Sequence, residues 1–144
     1  MTAKEYLLQY KRAKLKIQAI ENIIMELETA ITSTASALDG LPHGTDISDK
    51  TGRLASAMAD KQEELYWARS DAFHAMCEVS DAIGRMHDEE HAWLLTMRYI
   101  NGFTWERIAV EMDRTYQWVA GPLHGHALKD FEETMQNLVP LDSN

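Results

Sequence analysis

The chain has 144 residues, of which 45% are hydrophobic and 26% charged, a composition typical of one folded domain or of a small domain with an attachment. Its 23 acidic and 14 basic residues give a net charge of −9, whereas an autonomous DNA-binding domain is usually basic. A single cysteine, Cys77, excludes an intramolecular disulfide and a thiolate zinc cage. No stretch approaches the roughly 20 apolar residues of a membrane span, and the start lacks the apolar core of a signal peptide, so we expect a cytoplasmic protein without membrane contact.

The fold class expected from the sequence is all-α. The seven glycines and three prolines cluster, which leaves long stretches of good helix formers between them. Sustained alternation of β-branched and aromatic residues, the signal of a strand, is almost absent.

The first predicted element is one helix over residues 1–38, about 55 Å long at 1.5 Å per residue. Its apolar residues recur every three or four positions and form two rows of a heptad pattern. The rows are Tyr10, Ile17, Ile24, Ile31 and Leu38, and Tyr6, Ala13, Ile20, Leu27 and Thr34. Because such a stripe is unstable in water, the helix needs a partner helix.

A turn-rich segment over residues 39–46 interrupts the pattern, and Ser48 or Asp49 is suited to cap a second helix that runs to about Arg85. The apolar positions of this second helix mix large residues with alanines, which suits close packing on the first. We therefore predict a long antiparallel helical hairpin of coiled-coil character over residues 1–86. Whether the hairpin also forms a homodimer stays open, as does the role of loop 39–48.

Three shorter helices follow. Asp88 is a candidate cap for the first, which Asn101-Gly102 should end with a left-handed residue. Thr104 should cap the second, with Ile108, Ala109 and Met112 pointing inward. Asp113 and Arg114 form the next turn, and Thr115 should cap the third helix. That helix should bury Val119, Leu123, Ala127, Leu128 and Phe131.

The segment from Arg98 to Met112 reads R-Y-I-x-G-x-T-W-E-x-I-A-x-x-M, and T-x-x-W-V and L-H-x-x-A-L follow it. This pattern resembles the DNA-reading fourth region of bacterial sigma factors, without a gap over about 40 residues. The whole chain is similar to small phage-encoded sigma-like proteins, which share a helical hairpin, an L-P-x-G loop (residues 41–44) and a closing L-H-G-x-A-L (residues 123–128). The resemblance implies a three-helix sigma-region-4-like helix-turn-helix module over residues 87–135, followed by a flexible tail over residues 136–144.

The resemblance also implies a function. The corresponding segment of sigma factors binds promoter DNA in the major groove and touches RNA polymerase. The chain is thus expected to be a phage transcription regulator in the cytoplasm of a bacterial host cell, with double-stranded DNA and host RNA polymerase as partners. It lacks the other regions of a sigma factor, so the role implied is that of an accessory regulator.

Carried over residue by residue, the resemblance offers several side chains to DNA. Gln117 is suited to pair with adenine, and Tyr116 to reach a phosphate or a thymine methyl group. The remaining expected DNA-binding residues are Arg107, Arg114, Thr115, Ala120, His124 and Lys129. The sequence departs from the family where Asp113 replaces the usual glycine of the turn and where Ala120, Gly121 and Pro122 replace basic residues. Pro122 removes a backbone hydrogen bond to Trp118, which predicts a kink.

No catalytic, cofactor or metal site is predicted. His87 and His91 have the i, i+4 spacing of metal ligands, but no third ligand is evident in the sequence, and a capped helix start explains the segment. No phosphate-binding loop or nucleophile motif is present, so we do not expect an enzyme.

There are two alternatives to DNA binding. One, which the acidic charge and Gly121-Pro122 favour, is a protein-binding module that kept the helix-turn-helix fold and lost its DNA surface. The other is a phage packaging or structural adaptor.

Overall fold

The computed structural model describes residues 1–37 and 45–138, with side chains over residues 1–36 and 48–138. All regular structure in these ranges is helical, and none of it is strand, so the predicted all-α class is confirmed. None of the helices in these ranges combines the length and hydropathy needed to cross a bilayer. The predicted turn over residues 39–46 lies outside the described residues up to residue 44, and its last two residues belong to a helix that begins at Thr45. The predicted flexible tail over residues 136–144 lies outside them from residue 139 onward, and residues 136–138 are helical.

Three helices form the amino-terminal half: α1 (Ala3–Leu7), α2 (Gln9–Ala37) and α3 (Thr45–Gly84). A turn at Leu8, with ψ of −6°, separates α1 from α2 where the sequence predicted one helix. The prediction that Ser48 or Asp49 caps α3 is wrong, because α3 already begins at Thr45.

The carboxy-terminal half consists of short helices. α4 (Glu89–Leu95) continues into a π-helical segment, π1 (Thr96–Ile100), and α5 (Trp105–Met112) follows. α6 (Tyr116–Trp118), a second π-helical segment π2 (Val119–Leu123) and α7 (His124–Leu138) then form one helical run. Gly102, with φ of 72°, ends π1 in the left-handed region, as predicted for this stop signal.

Pro122 lies inside π2. Proline has no backbone N–H, so it cannot donate the bond that an α-helix would need at this position. A π-helical turn inserted into an α-helix absorbs such a defect with a local change of register, and such turns are frequent at functional sites. The sequence predicted a kink at Pro122, and the structure has a π-helical segment at this place.

The described chain divides into two compact units. The first comprises Met1–Arg12 and the chain from Ala72 onward, and the second comprises Ala13–Asp71. In the first unit, α7 packs against α1 and α4, and α5 packs against α6 and π2. Sixteen residues form its buried core: Leu7, Val79, Ala82, Ile83, Met86, Leu94, Leu95, Met97, Tyr99, Ile108, Ala109, Met112, Val119, Leu123, Ala127 and Phe131.

The second unit has a smaller core. Ile20 and Ile24 of α2 are buried with Ala68 of α3, and Ile17, Met58 and Leu65 pack around them. Glu21 and Arg69 add an ion pair of 3.4 Å between the same two helices. Packing between α2 and α3 therefore follows the predicted heptad rows in this part of the chain.

Candidate nucleic-acid interface

Two capped helices flank a tight turn at the center of the candidate interface. The Thr104 hydroxyl accepts from the backbone N–H of Arg107 and begins α5. Asp113 ends α5 with φ of 53° and ψ of 48°, a left-handed conformation that Asp tolerates better than most residues. The Thr115 hydroxyl then accepts from the N–H of Trp118 and begins α6. The capping predictions for Thr104 and Thr115 are confirmed.

The first turn of α6 faces solvent. The side chain of Tyr116 is 45% exposed, and Gln117 and Thr115 are also exposed. Val119, the next residue after α6, is fully buried and fixes the helix on the core. The phenol and the carboxamide are thus presented outward by a helix whose opposite side is anchored, which is the arrangement that a contact with a ligand needs.

The three cations predicted to contact phosphates are exposed, and two of them have partners. The guanidinium carbon of Arg107 lies 3.6 Å from the centroid of the Phe103 ring, and Arg114 is 3.5 Å from Glu90. Exposed contacts of these kinds are worth about 1 kcal/mol or less, so a phosphate can displace them. Lys129 lies on α7, about 18 Å along the helical run from Gln117 at 1.5 Å per residue.

His124 is in a different position from the other predicted contact residues. Its Nε2 shares a hydrogen bond of 2.8 Å with the Tyr99 hydroxyl, and its ring meets the Trp105 ring at 4.6 Å between centroids. Burial, and to a smaller extent the positive charges of Lys4 and Arg98, lower the pKa of His124 from 6.5 to about 4. The imidazole is therefore neutral at physiological pH and is held by the interior of the first unit.

Arg98 and Trp105 support this arrangement, and the sequence did not predict the contact between them. The Arg98 guanidinium lies 4.4 Å from the Trp105 ring centroid and donates to the Phe103 carbonyl oxygen at 3.1 Å. These contacts tie π1 to the segment that leads into α5. The only sequence signal for them is the spacing of Arg98 and Trp105 around Asn101-Gly102, which identifies a turn but not what closes it.

The remaining predicted contact positions carry small side chains. Ala120 is half-buried, and Gly121 and Pro122 are exposed in π2. None of the three has a hydrogen-bonding side chain, so only a van der Waals contact, as with a thymine methyl group, is available there.

A second polar cluster joins α4 to α7. His91 Nδ1 lies 2.7 Å from Asp130 Oδ2, and Asp88 accepts from the backbone N–H of His91 as the predicted cap of α4. The sequence did not predict that Asp130 lies beside His91, because 39 residues separate the two. Asp88, His91 and Asp130 offer ligand atoms within 4.8 Å of one another, but their caps and hydrogen bonds account for the cluster without a metal.

Comparisons with protein-family models, with curated proteins and with solved structures find no match for this chain. The candidate interface therefore depends on its own geometry and on the motif resemblance in the sequence.

Proposed function

We propose that the chain is an accessory phage transcription regulator. In this proposal residues 87–135 act as a sigma-like helix-turn-helix module that docks on promoter DNA together with host RNA polymerase. Residues 1–86 form an antiparallel hairpin that carries the module. The proposal assigns no catalytic step to the protein.

One observation carries the proposal: the left-handed turn at Asp113 joins two capped helices, and the second of them begins with the exposed pair Tyr116 and Gln117. In helix-turn-helix proteins the amino-terminal residues of the second helix contact base edges in the major groove. The short α5, packed on α6 and π2, has the place of the first helix of such a motif.

The contacts proposed divide by chemistry. Gln117 reads a base edge, because a carboxamide pairs with adenine N6 and N7, at about 1–3 kcal/mol of discrimination. Thr115 and Tyr116 position the helix on phosphate or sugar groups, and Arg107, Arg114 and Lys129 neutralise phosphates. His124 supports the module from inside, because its Nε2 is already bonded to Tyr99.

The charge of the module predicts weak, salt-sensitive binding. Residues 87–135 contain four basic residues, among them Arg107, Arg114 and Lys129, against nine acidic ones. Three phosphate contacts give a log–log salt slope of about −2.7, against about −10 for a strong repressor. Stable occupancy of a promoter would then need a second protein, which agrees with a role beside RNA polymerase.

The direct test is selection of bound duplexes from a random pool of about 30 bp, long enough for two helical turns, followed by fluorescence anisotropy on the duplex recovered. We expect binding at low salt that weakens with the slope given above. The variant Gln117→Ala should lose about 1–3 kcal/mol on the selected duplex and much less on an unrelated one.

A matched control is Gln136→Ala, because Gln136 is an exposed glutamine of the same unit near the end of α7. Like Gln117→Ala, this variant replaces an exposed glutamine by alanine and leaves the net charge unchanged. It should bind DNA like the wild type. Absence of any binding at low salt, or equal loss in both variants, would overturn the DNA proposal.

A second candidate function is protein binding by the same surface. Val110, Tyr116 and Trp118 are exposed large hydrophobic residues of α5 and α6, and the segment has no cationic surplus. Apolar and aromatic groups of this kind are enriched in protein interfaces. Sedimentation with purified bacterial RNA polymerase, in the absence of DNA, distinguishes the two: binding abolished by Trp118→Glu together with no affinity for duplexes favours this candidate.

A further inference from the structure

A groove of about 430 Å³ opens to solvent within the first unit. Residues of α4, of the end of α5 and of the turn after α5 line it, and we call it the α4–α5 groove. Its lining residues are Glu89, Glu90, Trp93, Met112 and Arg114. The volume lies in the range of about 300–1,000 Å³ that is usual for sites holding small groups.

Trp93 is the largest side chain of the α4–α5 groove, and its ring is not covered. It is 47% exposed, whereas tryptophan in folded proteins is mostly buried. The rings of Phe103 and Trp105 in the same unit each have an arginine over them, at 3.6 and 4.4 Å. Among the residues that the structure describes, no cation and no aromatic ring stacks on Trp93. One face of an indole is therefore free to receive a ligand.

Two carboxylates lie beside this indole. Glu89 and Glu90 precede Trp93 by four and three positions on α4, so the three side chains share one face of the helix, with about 5–6 Å between their Cβ atoms. The Arg114 guanidinium lies 3.5 Å from the Glu90 carboxylate. A guanidinium of this chain thus already reaches one of the two acids.

We propose that the α4–α5 groove binds an arginine side chain of a partner protein. A cation is attracted to the face of an aromatic ring, and most strongly to tryptophan. A planar guanidinium stacks on the ring and donates paired hydrogen bonds to a carboxylate, which the ammonium group of lysine does not. Met112, which is 9% exposed, offers an apolar wall to the methylene stem of such a side chain.

The charge of the surrounding module favours a basic partner. Residues 87–135 contain nine acidic and four basic residues, and a surface of this sign attracts cationic partners and repels nucleic acid. The partner's arginine replaces Arg114 at Glu90, an exchange that is easy because an exposed ion pair contributes little to stability. The inference goes beyond the proposed function, because it needs no DNA and uses a surface other than the first turn of α6.

Selection of short random peptides displayed on yeast cells, with the full chain as the target, tests the proposal. The consensus peptide is then titrated with the protein by fluorescence anisotropy, without DNA. We expect the enriched sequences to share an arginine. Replacing that arginine by glutamine should weaken binding about tenfold or more, and replacing it by lysine about threefold or more.

Variants of the protein locate the bound arginine. Trp93→Ala should weaken peptide binding about tenfold or more, with unchanged circular dichroism. Glu89→Gln and Glu90→Gln should each weaken it about threefold or more. The matched control Glu106→Gln removes one charge at the opposite end of α5 and should bind like the wild type. Arg114→Gln should bind at least as tightly as the wild type, because it removes the internal competitor for Glu90.

Trp118→Ala separates this groove from the exposed surface of α5 and α6. Trp118 is 38% exposed and does not line the α4–α5 groove, so its loss should leave peptide binding intact. A selection without enrichment, a consensus without arginine, or binding that depends on Trp118 and not on Trp93 would each refute the proposal. Because no DNA is present in the titration, its result is independent of the test of DNA binding.

Discussion

Replacing His124 by glutamine should remove an acid-sensitive part of the stability of the first unit. The pKa of His124 is lowered from 6.5 to about 4, mainly by burial, so the folded state resists protonation that the unfolded chain accepts. The contribution of the neutral His124 to the free energy of unfolding is therefore complete above about pH 6.5 and is lost as the pH falls toward 4. Between about pH 7.5 and 5 these two pKa values give about 2 kcal/mol, which partial exposure of the ring reduces to about 1–2 kcal/mol.

The assay is urea unfolding of the wild type and of His124→Gln at several pH values. The difference in the free energy of unfolding between the two proteins isolates this one imidazole, since all other ionisable groups are present in both. The wild-type advantage should shrink by about 1–2 kcal/mol between about pH 7.5 and 5. His126→Gln, a change at an exposed histidine two residues away, should keep the pH dependence of the wild type. A difference that does not change with pH would refute the burial argument.

Substitutions at three further positions test the packing of the first unit, each by thermal or urea denaturation. Asp113→Gly should stabilise the chain slightly and Asp113→Val destabilise it by about 1–2 kcal/mol, because position 113 is left-handed; equal effects would contradict that conformation. Thr115→Ala should cost about 1 kcal/mol by removing the cap of α6, while Thr115→Ser should restore most of it. Leu7→Ala should cost about 2–5 kcal/mol, because Leu7 is fully buried in the same core as Phe131; a loss under 1 kcal/mol would show that α1 does not belong to that core.

The carboxy-terminal helices illustrate what sequence patterns can predict. Thr104, Asp113 and Thr115 lie where predicted, because capping and left-handed turns depend on the few residues around them. The burial of Ile108, Ala109 and Met112 was predictable for a similar reason, because the position of the Thr104 cap fixes which residues of α5 face the core.

Features that depend on distant residues were not predictable in the same way. Leu7 joins a core made mostly of residues after position 78, which no local pattern reveals. The heptad rows identified α2 but not its interruption at Leu8. The start of α3 at Thr45 was missed because threonine and aspartate favour both turns and helix starts.

The candidate site shows the same division. Exposure of Tyr116 and Gln117 follows from the register that buries Val119. The helical pattern of the sequence also suggested an outward-facing His124, but in the structure its Nε2 is hydrogen-bonded to the hydroxyl of Tyr99, 25 residues earlier. Whether a polar side chain faces a ligand or a buried neighbour depends on that neighbour, which a single sequence does not identify.

The central claim is that the first turn of α6 contacts duplex DNA, and amide chemical-shift mapping tests it most directly. The labelled full chain is titrated with the selected duplex at low salt, where phosphate contacts are strongest. We predict shifts concentrated in residues 113–118, with smaller ones at Arg107 and Lys129 and none over residues 13–36. Unchanged amides in residues 113–118 at saturating duplex would contradict the account.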